Sequence, residues 1–314
     1  MKSTQKELRI LQTGCLSSEK RASKSASSTF REIIDNAVAI LLAAGIRNAR
    51  FDTEILLSHI VKRDRAWLIT HMHDRPDYEV IEAFEAAVKR RAKREPLQYI
   101  IGLQEFWGLD FIVTPDVLIP RPETELAVEC ALHMVGLSTE HVTVVDLCTG
   151  SGCIAVSLAK ALGQTRIIAT DKSMKALSVA TINASKHDVS DRILFLEGDM
   201  FQPLEPLDIR NGVDIIVSNP PYVRSGDYST LQPEVRAYEP EMALVAGPQG
   251  IEMHGEILKS ASDYLKPHGA LIMEIGLGQA DLLVKMMLSA NAYTTPAIHR
   301  DLAGIERVIV ATKI

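Results

Sequence analysis

From Val142 onward the chain repeats one pattern: a short apolar run that ends in a polar or acidic residue, followed in most cases by a helical stretch. The runs are VTVVDLC, RIIATD, RILFLEGD, VDIIVSNP and GALIMEIG, and RVIVATKI near the C-terminus reads as one more strand. Parallel strands need long crossovers, and a helix is the usual one. This alternation therefore predicts an α/β fold with a doubly wound, mostly parallel sheet, which holds its ligands at the carboxyl ends of the strands. The residues that close each run become the candidates for chemistry.

Upstream the pattern changes twice. Between Phe30 and Arg94 apolar residues recur at helical spacing. FREIIDNAVAILLAAGI sets Ile34, Val38, Leu41 and Leu42 on one stripe, and Gly45 suits a helix stop. FDTEILLSHIV and DYEVIEAFEAAVKRRAKRE repeat the pattern, with Asp77 placed as an N-cap for the second. From Glu95 to Glu125 glycines and prolines punctuate short β-like runs such as LDFIVT, which suggests a β-hairpin linker. RPETE then opens a helix through LAVECALHMV. The expected organisation is a disordered extension over 1–28, a small helical domain over 29–95, a hairpin linker over 96–125 and the α/β domain over 126–314.

The extension is polar and rich in Ser, Lys and Arg, without the apolar core of a secretory signal. LQTGC within it lacks the apolar segment of a lipoprotein signal, and Glu7 and Glu19 count against an organellar transit peptide. A cytoplasmic, bacterial-type location is expected, with a mitochondrial one as the alternative. The formal net charge of −6 excludes a molecule built as a whole to coat nucleic acid. The one basic cluster, KRRAKREP, reads as a solvated helix end with cations near its C-terminus. Four cysteines without a CxxC pair, and no His cluster at ligand spacing, predict neither zinc nor disulfides. No apolar run approaches the ~18 residues of a membrane span.

VVDLCTGSGCIAVSLAKAL places Gly150-Ser151-Gly152-Cys153-Ile154-Ala155 between a strand and a helix and satisfies G-x-G-x-x-[G/A]. Asp171 ends the next strand about 20 residues on, where a dinucleotide site keeps its ribose-binding acid. NAD is one reading. S-adenosylmethionine also carries a ribose, and Asp146, ahead of the glycines, separates the two. Its carboxylate repels a pyrophosphate and suits a cationic amino-acid end. Asp199 in EGDMF, after the third strand, can accept from an adenine amino group, with Met200 packed on the base. One glycine loop with three strand-end acids favours S-adenosylmethionine over NAD, and over acids that merely cap helices.

The fourth run stops on Asn219-Pro220-Pro221-Tyr222. Asn-Pro and Pro-Pro form turns, yet this corner falls beside the glycine loop's ligand. A planar NH2 group is a poor nucleophile because its lone pair is delocalised. Methylating it requires holding both N–H donors with the lone pair turned to the methyl donor. The Asn219 side-chain carbonyl and the Pro220 backbone carbonyl are two acceptors for that purpose. Neither proline has an N–H to compete, their fixed φ stiffens the corner, and Tyr222 can stack on the flat group. Asn219, Pro220 and Tyr222 are the candidate catalytic residues.

The motif [N/D/S]-P-P-[Y/F/W] on such a scaffold resembles class I methyltransferases that modify exocyclic or amide nitrogens. From about Phe30 to its end the chain resembles the HemK/PrmC family, the release factor glutamine methyltransferases. ARFDTEILLSHI is similar to that family's helical domain and EPLQYIIGLQEFWGLDFIVTPDVLIPRPETE to its linker. YEPEMALVAGPQG resembles the segment after its catalytic motif, and MEIGLGQ and RDLAGIERVIVA also match. The resemblance implies a Rossmann-like S-adenosylmethionine-dependent methyltransferase with a mostly parallel seven-stranded sheet. It implies methylation of N5 of the glutamine in the Gly-Gly-Gln loop of class I peptide release factors, in support of translation termination. By the same resemblance Cys148, Thr149, Gly150, Ser151, Gly152, Asp171 and Met200 join Asp146 and Asp199 around the cofactor. Asn219 contacts cofactor and glutamine; Pro220, Pro221 and Tyr222 complete the glutamine site; the helical domain reads the release factor.

Two alternatives stay open. The glutamine methyltransferase of a ribosomal protein shares the fold and Asn-Pro-Pro-Tyr, but that family typically has an Arg-Ser-Pro-Ile-like segment where this chain has Arg121-Pro122-Glu123-Thr124-Glu125. An N6-adenine methyltransferase of nucleic acid needs base-flipping machinery and a phosphate-binding surface, against which the acidic total weighs.

Overall fold

The computed structural model describes residues 28–136, 141–163 and 165–314. The expected disordered extension therefore lies, but for Ser28, outside the described residues. The chain forms two compact units that meet between Ile101 and Gly102.

The first unit is helical: α1 (Phe30–Ala43), α2 (Ala49–Val61), α3 (Arg65–Thr70), α4 (Tyr78–Ala92) and α5 (Leu97–Ile101). α1 starts on a capping box, in which the Glu32 amide donates to Thr29 Oγ1 and the Thr29 amide to the Glu32 carboxylate. That satisfies two donors which a helix start otherwise leaves orphaned. Its buried stripe is Phe30, Ile33, Ile34, Ala37 and Leu41, whereas Leu42, expected on it, is 56% exposed. Eight residues of helix turn Leu42 roughly 80° away from Ile34, and the stripe widens in the opposite direction. Asp77 stands at the N-cap of α4 but makes no side-chain capping bond.

Much of the basic cluster at the end of α4 is engaged locally. Arg90 pairs with Glu95, Arg94 donates to the Gly45 carbonyl, and the buried Arg91 donates to the buried Asp52 of α2 at 2.7 Å. Asp52→Ala removes the carboxylate that this buried guanidinium bonds, and breaking a buried ion pair by removing one member costs about 3 kcal/mol. The unit is expected to unfold at a clearly lower denaturant midpoint. Asp35→Ala, at the exposed Asp35–Arg50 pair, is expected to lower the unfolding free energy by less than about 1 kcal/mol.

The second unit opens with an antiparallel hairpin of β1 (Leu103–Phe106) and β2 (Leu109–Ile112). Trp107 and Gly108 join them at φ 55° and 71°, the positive angles that a two-residue hairpin turn requires. Then follow α6 (Glu125–Val135), β3 (Val142–Leu147), α7 (Cys153–Ala161), β4 (Thr165–Asp171), α8 (Met174–Lys186), β5 (Ile193–Glu197) and β6 (Val213–Ser218). The remainder is β7 (Val223–Arg224), α9 (Pro233–Tyr238), β8 (Val245–Gly247), α10 (Glu252–Tyr264), β9 (Leu265–Glu274), α11 (Ala280–Ser289), β10 (Ala297–Arg300) and β11 (Glu306–Thr312). Seven strands form one sheet in the order β10-β11-β9-β6-β3-β4-β5, in which β11 alone runs in the direction opposite to the other six.

Every apolar run read as a strand is one. β10 adds a strand that no run announced, because it lies at the sheet edge with Ala297 and Arg300 exposed and needs no apolar face. Successive residues of the central strands serve opposite layers. Val144, Ile167 and Ile215 pack with α6, α7 and the hairpin's Phe106 and Phe111; Val145, Ile168 and Ile216 pack with α10 and α11. Among the described residues no helix is long and apolar enough to cross a membrane.

Candidate active site at the carboxyl ends of the central strands

Leu147, the last residue of β3, pairs with Thr170 of β4 on one side and Ser218 of β6 on the other. The strand order reverses at β3, which makes its carboxyl end the switch point where such sheets bind ligands. The glycine loop leaves from there. Cys148, Gly150 and Gly152 all adopt positive φ, at 59°, 56° and 78°. A Cβ on Gly152 would sit 3.0 Å from Ala180 Cβ, so glycine there lets α7 start against α8. Over Gly150 a Cβ would meet nothing within 4 Å; that face of the loop is open. Asn183, wholly buried on α8, accepts from the Ile112 amide and donates to the carbonyls of Ile112 and Ser151. The hairpin and the glycine loop are thus held on one amide.

The three strand-end acids differ in environment. Asp146 is fully buried, and its Oδ2 accepts from Thr149 Oγ1 at 2.6 Å. The Ala155 amide lies near enough to favour the carboxylate, but Oδ1 has no partner of good geometry. Burial pushes the Asp146 carboxyl up to about 7. Asp171 accepts from the Gly150 and Ser173 amides, each at 2.9 Å, and burial still raises it. Asp199 is exposed and paired with Lys172. Met200 turns through φ 48°, gives its carbonyl to Thr170 Oγ1 and brings its sulfur to 4.0 Å from Cys148 Sγ. Cys148 and Cys153 are neutral thiols, because burial and the neighbouring acids push both up. Among the described residues no three His, Cys, Asp or Glu side chains gather as a metal site requires.

The Asn219-Pro220-Pro221-Tyr222 corner leaves β6 beside this loop. Ser218 Oγ donates to the Leu147 carbonyl at 2.7 Å, which ties the two strand ends together. Both prolines are buried, and Asn219 and Tyr222 are half-buried. The Asn219 amide nitrogen donates to Thr124 Oγ1 at 3.1 Å, Thr124 Oγ1 donates to Glu274 Oε2 at 2.6 Å, and Tyr222 Oη donates to Glu274 Oε1 at 3.1 Å. Asn219 Oδ1 and the Pro220 carbonyl accept no hydrogen bond from a described residue.

Several segments close around Tyr222. Gln279 donates to the Tyr222 and Gly250 carbonyls and accepts from the Gly276 amide. A Cβ at Gly250 would lie 2.7 Å from the Tyr222 carbonyl oxygen, and one at Gly276 3.1 Å from its ring. Glu239 accepts from Arg121 and from the Ile119 amide. LIPRPETE, YEPE, AGPQG and MEIGLGQ, distant in sequence, therefore converge on one corner.

Thr124, Glu274 and Gln279 are the residues that the sequence reading missed. Glu274 had a signal, since GALIMEIG ends in an acid like the runs before it; Thr124 and Gln279 had none beyond their motifs. Ser218 pairs with Met273, so Asn219 and Glu274 are the next residues on adjacent strands, and only the register reveals it. Ser151 is buried, with its carbonyl committed to Asn183.

Burial raises the Glu274 carboxyl to about 7, against the hydrogen bonds from Thr124 and Tyr222 that favour its charged form; Glu123 adds to the rise and Arg307 opposes it. The folded state therefore keeps a proton that the unfolded chain releases near 4.5. Stability contributed by this group is complete below about 4.5 and is lost as pH climbs to about 7. Glu274→Gln is expected to remove that fall, so the difference in unfolding free energy between wild type and variant should drift across this window and level off above it. Denaturant unfolding at a series of pH values measures it.

Two family models match the chain: one described as PrmC N-terminal domain, over residues 32–102, and one described as methyltransferase small domain, over residues 126–234. The release factor glutamine methyltransferase of Geobacter sulfurreducens is 43% identical over 281 residues, which is 90% of this chain and 95% of that protein. The release factor glutamine methyltransferase of Nitratidesulfovibrio vulgaris is 39% identical over 292 residues, 91% of this chain and 96% of its own. Among solved structures, the hMettl16 catalytic domain in complex with the MAT2A 3′UTR hairpin 6 matches with a TM-score of 0.54 at 17% identity. It covers 72% of this chain and 81% of that one, a likeness of fold.

Proposed function

The chain belongs to the release factor glutamine methyltransferase family, with its class I methyltransferase fold, and from that premise we propose its reaction. It transfers a methyl group from S-adenosylmethionine to the side-chain N5 of the glutamine in the Gly-Gly-Gln loop of class I peptide release factors. The observation that carries this reading is the amide of Asn219: its NH2 is committed to Thr124, while its Oδ1 and the adjacent Pro220 carbonyl are uncommitted acceptors.

The glycine loop fits the cofactor. Asp146 Oδ1 is a buried carboxylate oxygen without a partner of good geometry, suited to an ammonium group, and the outer face of Gly150 is open. Asp171, Cys148 and Met200 stand at the same strand ends, and Asp199 follows β5. When bound, S-adenosylmethionine supplies an electrophilic methyl group. Asn219 Oδ1 and the Pro220 carbonyl accept the two N–H bonds of the glutamine amide, which turns its nitrogen lone pair toward that methyl group. Pro221 stiffens the corner, and Tyr222, anchored by Glu274 and Gln279, packs on the flat amide. No side chain need act as a base beforehand, because the nitrogen's proton becomes acidic only once the nitrogen is methylated. The catalysis is orientation and electrostatics. The helical unit, which ends at Ile101, serves to read the release factor.

With S-adenosylmethionine and a class I release factor, the purified protein is expected to add one methyl group to the glutamine of the Gly-Gly-Gln loop, seen by peptide mass spectrometry. No mass gain while the cofactor binds would falsify the reading. Asn219→Ala is expected to lose turnover on the order of 100-fold, the scale for one lost transition-state hydrogen bond, while keeping its fold by circular dichroism.

A further inference from the structure

The reaction as described leaves open what decides which end of the Asn219 amide faces the glutamine. A side-chain amide is nearly symmetric in shape, and with the NH2 turned to the substrate, donors would meet donors. The direction must be imposed from behind, and the group behind is Glu274: fully buried, at the end of β9, two hydrogen bonds from Asn219.

We propose that Glu274 is a positioning residue whose ionised carboxylate sets the direction of the chain Glu274–Thr124–Asn219 and thereby aims Asn219 Oδ1 at the substrate glutamine. The inference rests on the methylation reading above. An ionised carboxylate only accepts. The Thr124 hydroxyl hydrogen must then point at Oε2 and the Tyr222 hydroxyl hydrogen at Oε1, the contacts observed at 2.6 and 3.1 Å. Thr124 Oγ1 has only lone pairs left for Asn219, so it takes the NH2 end at 3.1 Å and Oδ1 faces away. A protonated Glu274 that donates to Thr124 through Oε2 reverses both bonds of the Glu274–Thr124–Asn219 chain: Thr124 donates onward, Asn219 turns Oδ1 toward it, and the NH2 meets the glutamine.

The charge of Glu274 is poised to change near neutrality, and its neighbours do not take over that role. Facing it are Glu123 on the turn before α6, Arg307 on β11, Tyr222 on the corner and His254 on α10. Glu123 disfavours its charge and Arg307 favours it. Burial raises the Tyr222 hydroxyl, with Glu274 adding to the rise, so it stays a neutral donor. Burial lowers His254, whose ring reaches the Glu274 backbone carbonyl at 2.8 Å. The Cys153 thiol, which also feels Glu274, is held neutral at about 12.

The test uses the full chain, a release factor and S-adenosylmethionine, with S-adenosylhomocysteine affinity as a check on the cofactor site. Wild-type kcat is expected to fall on the acid side of neutrality, and Glu274→Gln to lack that limb. Thr124→Val, which keeps the shape and removes the hydroxyl, is expected to lower kcat at least about tenfold, or 1.4 kcal/mol, at unchanged S-adenosylhomocysteine affinity. Thr124→Ser is expected to restore it. Wild-type kcat in Thr124→Val, or an acid limb that persists in Glu274→Gln, overturns the proposal. If the wild type leaves the glutamine unmethylated, the functional reading fails by itself, and the 15N signals of the Asn219 side-chain amide still test the relay. They are expected to titrate near neutrality in wild type and to be flat in Glu274→Gln; the same behaviour in both overturns it.

Discussion

The parallel register across β6, β3 and β4 is the constraint on which the rest of the α/β unit depends. Because Ser218, Leu147 and Thr170 lie side by side, three chain reversals leave the sheet at one level. The hydroxyl of Ser218 bonds across that level to the Leu147 carbonyl. A slip of one residue would send every strand side chain to the opposite layer. With apolar residues serving both faces, the two helical layers hold the register from both sides, and the corner after β6 is held against the loop after β3 by the same packing.

At that level the molecule tolerates two buried carboxyls, Asp146 and Glu274, each pushed up to about 7. Neither has a cationic side chain bonded to it; each takes a hydroxyl hydrogen from a threonine, Thr149 and Thr124. Burial without a counter-charge costs stability, and its concentration at one end of the sheet is what functional sites show. In the proposed mechanism the two acids divide the work: Asp146 offers its unmatched oxygen to the cofactor's ammonium group, and Glu274 orders hydroxyls that order an amide.

Much of this was legible in the sequence because it is local. Strand ends, the glycine loop and the proline corner are written in consecutive residues, and their periodicity follows from backbone geometry alone. Where the reading slipped, packing chose between positions that local pattern treats alike. Leu42 was as apolar as Leu41, yet it falls outside the buried stripe of α1. β10 had no apolar signal because an edge strand needs none. Thr124, a polar residue within RPETE, carried no mark of its partnership with Glu274, 150 residues away.

By itself, then, the sequence determined the α/β alternation, the loop that leaves its backbone open to a ligand, and an Asn-Pro-Pro-Tyr corner able to offer two acceptors. Only the tertiary structure decided how that corner is aimed. Asn219 and Glu274 meet because Ser218 pairs with Met273 on the neighbouring strand, and Tyr222 is seated because Gln279, Gly250 and Gly276 close around it. Pairing register and close backbone approach are properties of elements brought together by the core. A chain read in order contains the residues but not the distances between them.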